Sequence, residues 1–576
     1  MNYQPPVERL LLSGTFAISL LACLLVGPDS APLLEDNQHY YFMAERAASG
    51  VPPHVSNFDP KHMLAPLLSA VGILFGRAAG ISDVIAARLP SILVFCLSSS
   101  LLALLTYRLT DRWIAAVLAG VAFPTFGYLL KLAVIGARPK VFLVFFMLLA
   151  LYAVTRGRWK TACASGGLAF LSWQPGVLIP TVVLLTMKVS GLSWRRLAAG
   201  TVAALAPVLL YEAYFVLAGG VGAQLTQSYL FPALYMQGEM SPPSEAYRML
   251  SWLWTTGYGW NILPLVAVGG GTVVAHRLVT SYASISEWIS REPGWTVFMG
   301  TMMLAGAITY YDHQGPPDLF FVLPFVAVLS GIAVDWAAKY AGRIVPRVPS
   351  ASLGVLAIVS FLVGAVTTGN AVRSSFGHDI DSQRRLAQTV EEWRQEGHTV
   401  YAVGRTTHIL ALERRSNWTP YSQFFRGVGA FLEDRGMVAP FVPCRQGRLP
   451  RIVLFAGRHH PPGWPLWLQS RYERRTPPEF AEREIQVWRA AEEARCTRTW
   501  SRTVYRQGPD KDQSLSGYSP PLRQSPSDRA DPSVSFRPLP TASVGGSCQR
   551  RPHSRSQRAG SKPFNPPPSY GVISPT

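Results

Sequence analysis

Apolar runs close to or at bilayer-spanning length recur through the first two-thirds of this 576-residue chain, among them "LLLSGTFAISLLACLLVG", "RLPSILVFCLSSSLLALLTY" and "KVFLVFFMLLALYAV". A helix needs about 17 to 25 such residues to cross the hydrocarbon layer. In that solvent only helices and closed barrels satisfy their own backbone polar groups. The expected fold is therefore mainly α, a polytopic helical membrane protein. Composition agrees, with 49% hydrophobic and only 15% charged residues against about 25% charged in soluble domains. The first run follows a single Arg9 and lacks a small-residue cleavage site, so it reads as a retained helix rather than a signal peptide.

About eleven spans are expected, near 10–27, 84–107, 113–133, 139–155, 161–174, 176–188, 198–217, 258–275, 295–310, 319–337 and 352–370. Short loops on one side then carry Arg9, Arg108, Arg112, Arg156, Arg158 and Lys160, and further on Lys188, Arg195, Arg196, Lys339, Arg343 and Arg347. By the positive-inside rule that side is cytoplasmic, and the N-terminus with it. "LLEDNQHYYFMAERAASG" at 33–50, the loop at 218–257, "YYDHQGPPD" at 310–318 and everything after 371 face outward. Retained spans with an outward domain fit the plasma membrane.

Three regions follow. Residues 1–370 form the membrane domain, with its first outward loop at 28–83. Residues 371–504 change character: "DSQRRLAQTVEEWRQEG" has helical periodicity, "HTVYAVG" and "RIVLFAG" read as buried strands, and "EFAEREIQVWRAA" mixes the two, giving a small extracytoplasmic α/β domain. Residues 505–576 are rich in Ser, Pro and Arg and read as a disordered tail.

Several function classes lack their signals. The formal charge of +19 is spread along the chain rather than gathered in one patch, which argues against nucleic acid as a partner. No CxxC, GxxxxGK[ST], GxSxG or HExxH motif occurs. A Cys444–Cys496 disulfide is open if that domain meets an oxidising compartment. Asn417-Trp418-Thr419 is followed by Pro420 and reads as a turn rather than a glycosylation acceptor.

The adjacent carboxylates Glu35 and Asp36, just past the first span, have two readings. Asp36 can cap an amphipathic helix lying on the membrane surface, with Tyr40, Tyr41, Ala44 and Ala48 on one stripe. Alternatively the pair is chemistry. Next, "FDPKHMLAPLLSAVGILFGRAAG", containing His62, reads as a second interfacial helix, and "ARLPS" with Arg88 opens the second span.

The acidic pair, the "YYFMAERAASG" helix, the second helix ending "LFG", "ARLPS" and "ARPKVFLVFFMLLALYAVTRGRWKTACASGGLAFLSWQPG", in that order and spacing, resemble the GT-C membrane glycosyltransferases. The likeness is strongest to enzymes akin to the dolichyl-phosphate-mannose mannosyltransferases. It covers residues 10–190 by motif and 190–370 by layout. It implies an inverting transfer of a sugar, mannose or another hexose, from a polyprenyl-phosphate donor to a lipid, glycan or protein acceptor. It also implies that Asp36 or Glu35 is the general base, with Asp36 preferred.

A sugar hydroxyl is a poor nucleophile, so a carboxylate must take its proton as C1 is attacked. Arg138, Lys140 and Lys131 are the outward cations that would hold the donor phosphate, unless Arg138 and Lys140 only snorkel to headgroups. His313 would join them from "YYDHQGPPD", where the alternative is an ordinary polar turn with Asp318 as a cap. Tyr40, His62, Trp173, Gln174, Tyr311 and Asp312 would line the substrate groove, although "SWQPG" around Trp173 also reads as an interfacial aromatic belt.

Some branches of the family use a divalent cation, Mg or Mn. Here Lys140 follows Arg-Pro where many relatives carry an acid, which leaves the cation without an assigned ligand set. Two rival readings are a transporter of lipid-linked sugar or small solute, and a non-catalytic relative acting as an envelope scaffold.

Overall fold

The computed structural model describes residues 5–236, 263–282, 284–311, 315–344, 349–424, 427–435, 448–456 and 464–490, with a few positions between 247 and 252. Cys444, Cys496, the 505–576 tail, Asp312 and His313 lie outside the described residues.

The membrane part begins with α1 (Pro5–Val26), then α2 (Asn37–Ala48), α3 (Leu64–Ala78) and α4 (Asp83–Thr110). It continues through α5 (Trp113–Ala122), α6 (Gly127–Ile135), α7 (Pro139–Thr155), α8 (Trp159–Ser172), α9 (Leu178–Val189) and α10 (Trp194–Leu217). Further along the chain come α11 (Leu263–Ser281), α12 (Pro293–Tyr311), α13 (Leu323–Ile344) and α14 (Ser350–Ser374). Among the described residues six helices are long and apolar enough to cross a membrane: α1, α4, α10, α11, α13 and α14. The protein is a multi-pass membrane protein.

The span expected at 113–133 is not one helix. Trp113–Thr125 and Gly127–Ile135 meet at a 65° bend, where Pro124 lies in a short 3-10 turn and breaks the ladder. The spans expected near 139–155, 161–174 and 176–188 form the shorter apolar helices α7, α8 and α9.

A second correction concerns α2. The amphipathic reading places it on the membrane surface, yet every residue from Asn37 to Glu45 is buried. One apolar cluster joins Tyr40, Tyr41, Phe42 and Met43 of α2 to Ile73 of α3, Val84 and Ala87 of α4, and residues of the C-terminal sheet region such as Val400, Ile409 and Ile452. That region therefore sits on α2 and withdraws it from solvent.

The docking is also polar. Gln383 clamps the backbone of Leu33, accepting from its N–H at 2.9 Å and donating to its carbonyl at 2.8 Å. Ser422 Oγ donates to Asn57 Oδ1 at 2.6 Å.

The sheet region opens with α15 (Ile380–Gln395), capped by Asp379, whose carboxylate accepts from the Ser382 N–H at 2.9 Å. Strands β1 (Val400–Gly404), β2 (Ile452–Ala456), β3 (Tyr472–Arg474) and β4 (Gln486–Ala490) lie in the order β1-β2-β4-β3. β1 pairs parallel with β2, Val400 opposite Ile452, and both are buried along their whole length, as continuous apolar runs require. β4 pairs antiparallel with β2 and β3. Asn417 is no acceptor in a loop: its side-chain amide bonds both the N–H and the carbonyl of Ala402, each at 2.9 Å, and closes the free edge of β1.

Candidate active site

The turn leading into α2 is held from below. Buried Arg88, near the start of α4, donates to the carbonyls of Pro28 and Ala31. Gly136 lies against that arginine at φ +92; a Cβ there would stand 2.9 Å from Arg88 Cγ. Only glycine allows this approach and this conformation. Asn37 donates to the Gly136 carbonyl, so the 28–37 and 135–138 turns are fixed to each other.

These two turns bring the acidic pair to the cations. Glu35 adopts φ +53, a left-handed conformation that costs a non-glycine residue free energy and is retained only where surroundings enforce it. Its carboxylate accepts from Tyr128 Oη at 2.6 Å, and Lys131 Nζ stands 3.6 Å away. Asp36 occupies the N-cap position of α2 but makes no capping hydrogen bond. The cap reading fails because the carboxylate faces Arg138, 2.9 Å from Nη1.

Burial by itself would raise the Asp36 carboxyl; Arg138, then Lys61, Arg405 and His39, outweigh it and hold the group well below the usual carboxylate range. Arg138 is 7% exposed, and its Nη1, although in ion-pair range, has no hydrogen-bond partner among the described residues. Snorkelling is thereby excluded for Arg138, since its head turns into protein.

Lys140 is likewise turned inward. It pairs with Asp318 and lies 4.3 Å from the centroid of Trp173. Trp173 is 7% exposed and also meets Phe321 edge-on, so it is not part of an aromatic belt. Asp318 accepts from the Gly315 N–H at 2.9 Å while holding Lys140, combining a turn cap with a brace between α7 and residues 316–321.

The sequence reading missed Lys61. Its ammonium donates to Tyr40 Oη at 2.9 Å, and the Arg138 guanidinium lies 5.8 Å from the centre of the same ring. Burial would push Lys61 down, but Tyr40, Asp59 and Asp36 more than offset this and keep it protonated. Asp59 anchors the segment: it accepts from the Lys61 N–H at 2.8 Å and pairs with His39 at 3.3 Å. The only hint in the sequence was a lysine in "FDPKHML", with no periodicity to mark it.

Glu35, Asp36, Tyr40, Lys131 and Arg138 thus come together with Lys61. Gln174 joins them at one remove, donating to the Pro60 carbonyl at 2.6 Å. His62 does not face an opening. It is fully buried among Phe170, Tyr211 and Tyr229, with ring centroids 4.6, 5.8 and 5.0 Å away, and neither nitrogen has a hydrogen-bond partner among the described residues. Burial pushes its pKa down to about 3. Tyr311 is exposed at the end of α12.

Among the described residues no three His, Cys, Asp or Glu side chains gather as metal ligands. Glu35 and Asp36 already face Lys131 and Arg138, a donor set that does not fit a divalent cation.

Comparison with protein-family models finds no match, and neither does comparison with curated proteins. Solved structures do match. ArnT from Cupriavidus metallidurans bound to undecaprenyl phosphate is 14% identical, covering 83% of this chain and 97% of that one at a TM-score of 0.53. Its apo state is 13% identical over the same shares at 0.55. The oligosaccharyltransferase AglB from Archaeoglobus fulgidus is 12% identical over 84% of this chain and 74% of that one, at 0.47, which adds nothing to the fold assignment.

Proposed function

We propose that this chain, which has the GT-C fold expected from its sequence, is an inverting membrane glycosyltransferase. It moves mannose or another hexose from a polyprenyl-phosphate donor to a lipid, glycan or protein acceptor. The observation that carries the reading is the meeting of two adjacent carboxylates with Lys61, Lys131 and Arg138 beside Tyr40 and Tyr128. Undecaprenyl phosphate bound to ArnT supports the same class of donor here.

The roles differ within the acidic pair. A carboxylate held far below its usual range is a weak proton acceptor, so Asp36 serves to aim Arg138. Glu35 is the base: it takes the acceptor hydroxyl proton as that oxygen bonds C1 from the face opposite the phosphate. The C1–O bond to phosphate breaks and the lipid phosphate departs with the electron pair. Arg138 Nη1, Lys61 and Lys131 hold its charge, a task for which a guanidinium fork is suited. Tyr40, Trp173 and Gln174 border the sugar. Transfer takes place on the extracytoplasmic face of the plasma membrane, where the 371–504 domain covers the acceptor side.

The test is transfer of radiolabelled sugar from synthetic polyprenyl-phosphate-mannose or -glucose in proteoliposomes. Glu35→Gln is expected to lower the rate by about 10²-fold or more, while Asp36→Asn weakens donor binding through Arg138. Equal rates for Glu35→Gln and the native chain, or solute uptake without transfer, would remove the assignment.

A further inference from the structure

A second polar cluster lies at the other end of the bundle. Arg88, which braces the Glu35 turn, and Thr110 stand near opposite ends of α4, about 33 Å apart at 1.5 Å per residue. At the Thr110 end a cavity of about 180 Å³ opens between α5, α11, α12 and α13. One probe-sized space of about 10–15 Å³ holds a water, so this one admits a headgroup.

Its walls divide by chemistry. Ala115, Val273, Val274 and Ile332 make an apolar floor, while Arg112, Arg277 and Lys339 bring positive charge. Asp335, only 7% exposed, is shared by two of these cations, Lys339 at 2.8 Å and Arg112 at 3.4 Å. Glu292 accepts from Tyr282 Oη at 3.0 Å. Arg277 is exposed and has no ion-pair partner among the described residues.

Trp336, which lines the cavity, stacks on Tyr340 at 5.4 Å, both about half exposed. Such an exposed aromatic pair belongs at the headgroup level of a bilayer.

We propose that this cavity binds the headgroup of an anionic glycerophospholipid of the surrounding bilayer. The phosphate sits on Arg277 with Arg112 and Lys339. An apolar floor with an excess of cations at its rim fits an amphiphile with an anionic head better than a free ion, and basic pockets between membrane helices recognise lipids of this kind. The site is independent of the Glu35 cluster and of the reaction assigned to it.

The experiment uses the purified full chain in neutral detergent, with native mass spectrometry counting bound phosphatidylglycerol or phosphatidylcholine. Phosphatidylglycerol should bind about tenfold more tightly than phosphatidylcholine. Arg277→Gln should lose about tenfold of that affinity, the size of one charge-assisted contact. Arg195→Gln, an exposed cation on α10, should lose none. Equal binding of the two lipids, equal loss in both variants, or displacement of phosphatidylglycerol by millimolar inorganic phosphate would overturn the proposal.

Discussion

α2 and α3 sit between the same two spans, and their exposure is the reverse of what their compositions advertise. α2, "NQHYYFMAERAA", is half polar, yet nine consecutive residues are buried. α3, "LAPLLSAVGILFGRA", is almost wholly apolar, yet Val71, Leu74 and Phe75 are 47%, 52% and 73% exposed. The solvent explains both. An apolar side chain facing hydrocarbon loses nothing, so α3 needs to bury only its small-residue face, where Gly72 and Gly76 meet Ala86. Burying polar groups costs free energy unless partners are supplied. α2 obtains them: Gln38 donates to the Leu33 carbonyl at 2.9 Å, His39 meets Asp59, and Glu45 meets Arg77 at 3.2 Å.

Substitutions should separate the two helices. Phe42→Ala, which empties the centre of the cluster between α2 and the sheet region, should cost about 3–5 kcal/mol and free that region to proteolysis. A melt in detergent with limited trypsin reads both, and unchanged cleavage would mean that the docking is not what buries α2. Gly76→Leu should cost about 1–3 kcal/mol, because even a Cβ there would lie 2.3 Å from Ala86 Cβ; native-like melting would break the picture of α3 packing through its small face.

His62, just ahead of α3, gives a pH signature. The unfolded imidazole titrates near 6.5, whereas burial keeps the folded one neutral down to about 3. Between those values the unfolded chain binds a proton that the fold does not, so stability rises with pH and falls on acidification. His62 should account for about 2 kcal/mol of the loss between pH 7 and pH 5. His62→Phe, in an aromatic surround that accepts a ring, should flatten that slope in melts at the two pH values; an unaltered slope would place the titration elsewhere. The smallest effect is expected at the lipid-facing side of α3, where Phe75→Ser should stay within about 0.5 kcal/mol in detergent. A large loss there would mean that Phe75 is covered by protein.

Legibility followed the range of the interactions. The strands were readable because "HTVYAVG" and "RIVLFAG" are short continuous apolar runs bounded by glycine, and they form β1 and β2 in parallel register. The acidic pair stood out because two carboxylates beside a span are conspicuous, and Arg138 because an arginine opens an apolar helix. Lys61 was not readable, since its significance lies in Tyr40, twenty-one positions earlier, and no local pattern announces such a contact. The broken span at Phe126 was hidden for a different reason: hydropathy measures how much apolar chain there is, not whether its axis is straight.

By itself the amino-acid sequence determined that this protein crosses a membrane many times, that strands of a small α/β region follow the spans, and that an acidic pair stands in the first loop with cations in a later one. Each of these depends on local composition acting against a known solvent. Tertiary structure alone decided that α2 is interior, that Asp36 faces Arg138 while Glu35 faces Tyr128 and Lys131, and that Trp173 lies beneath Lys140. A lipid-facing surface and a protein core are equally apolar, so periodicity cannot tell them apart, and the partner of a buried charge is set by the register in which distant helices pack.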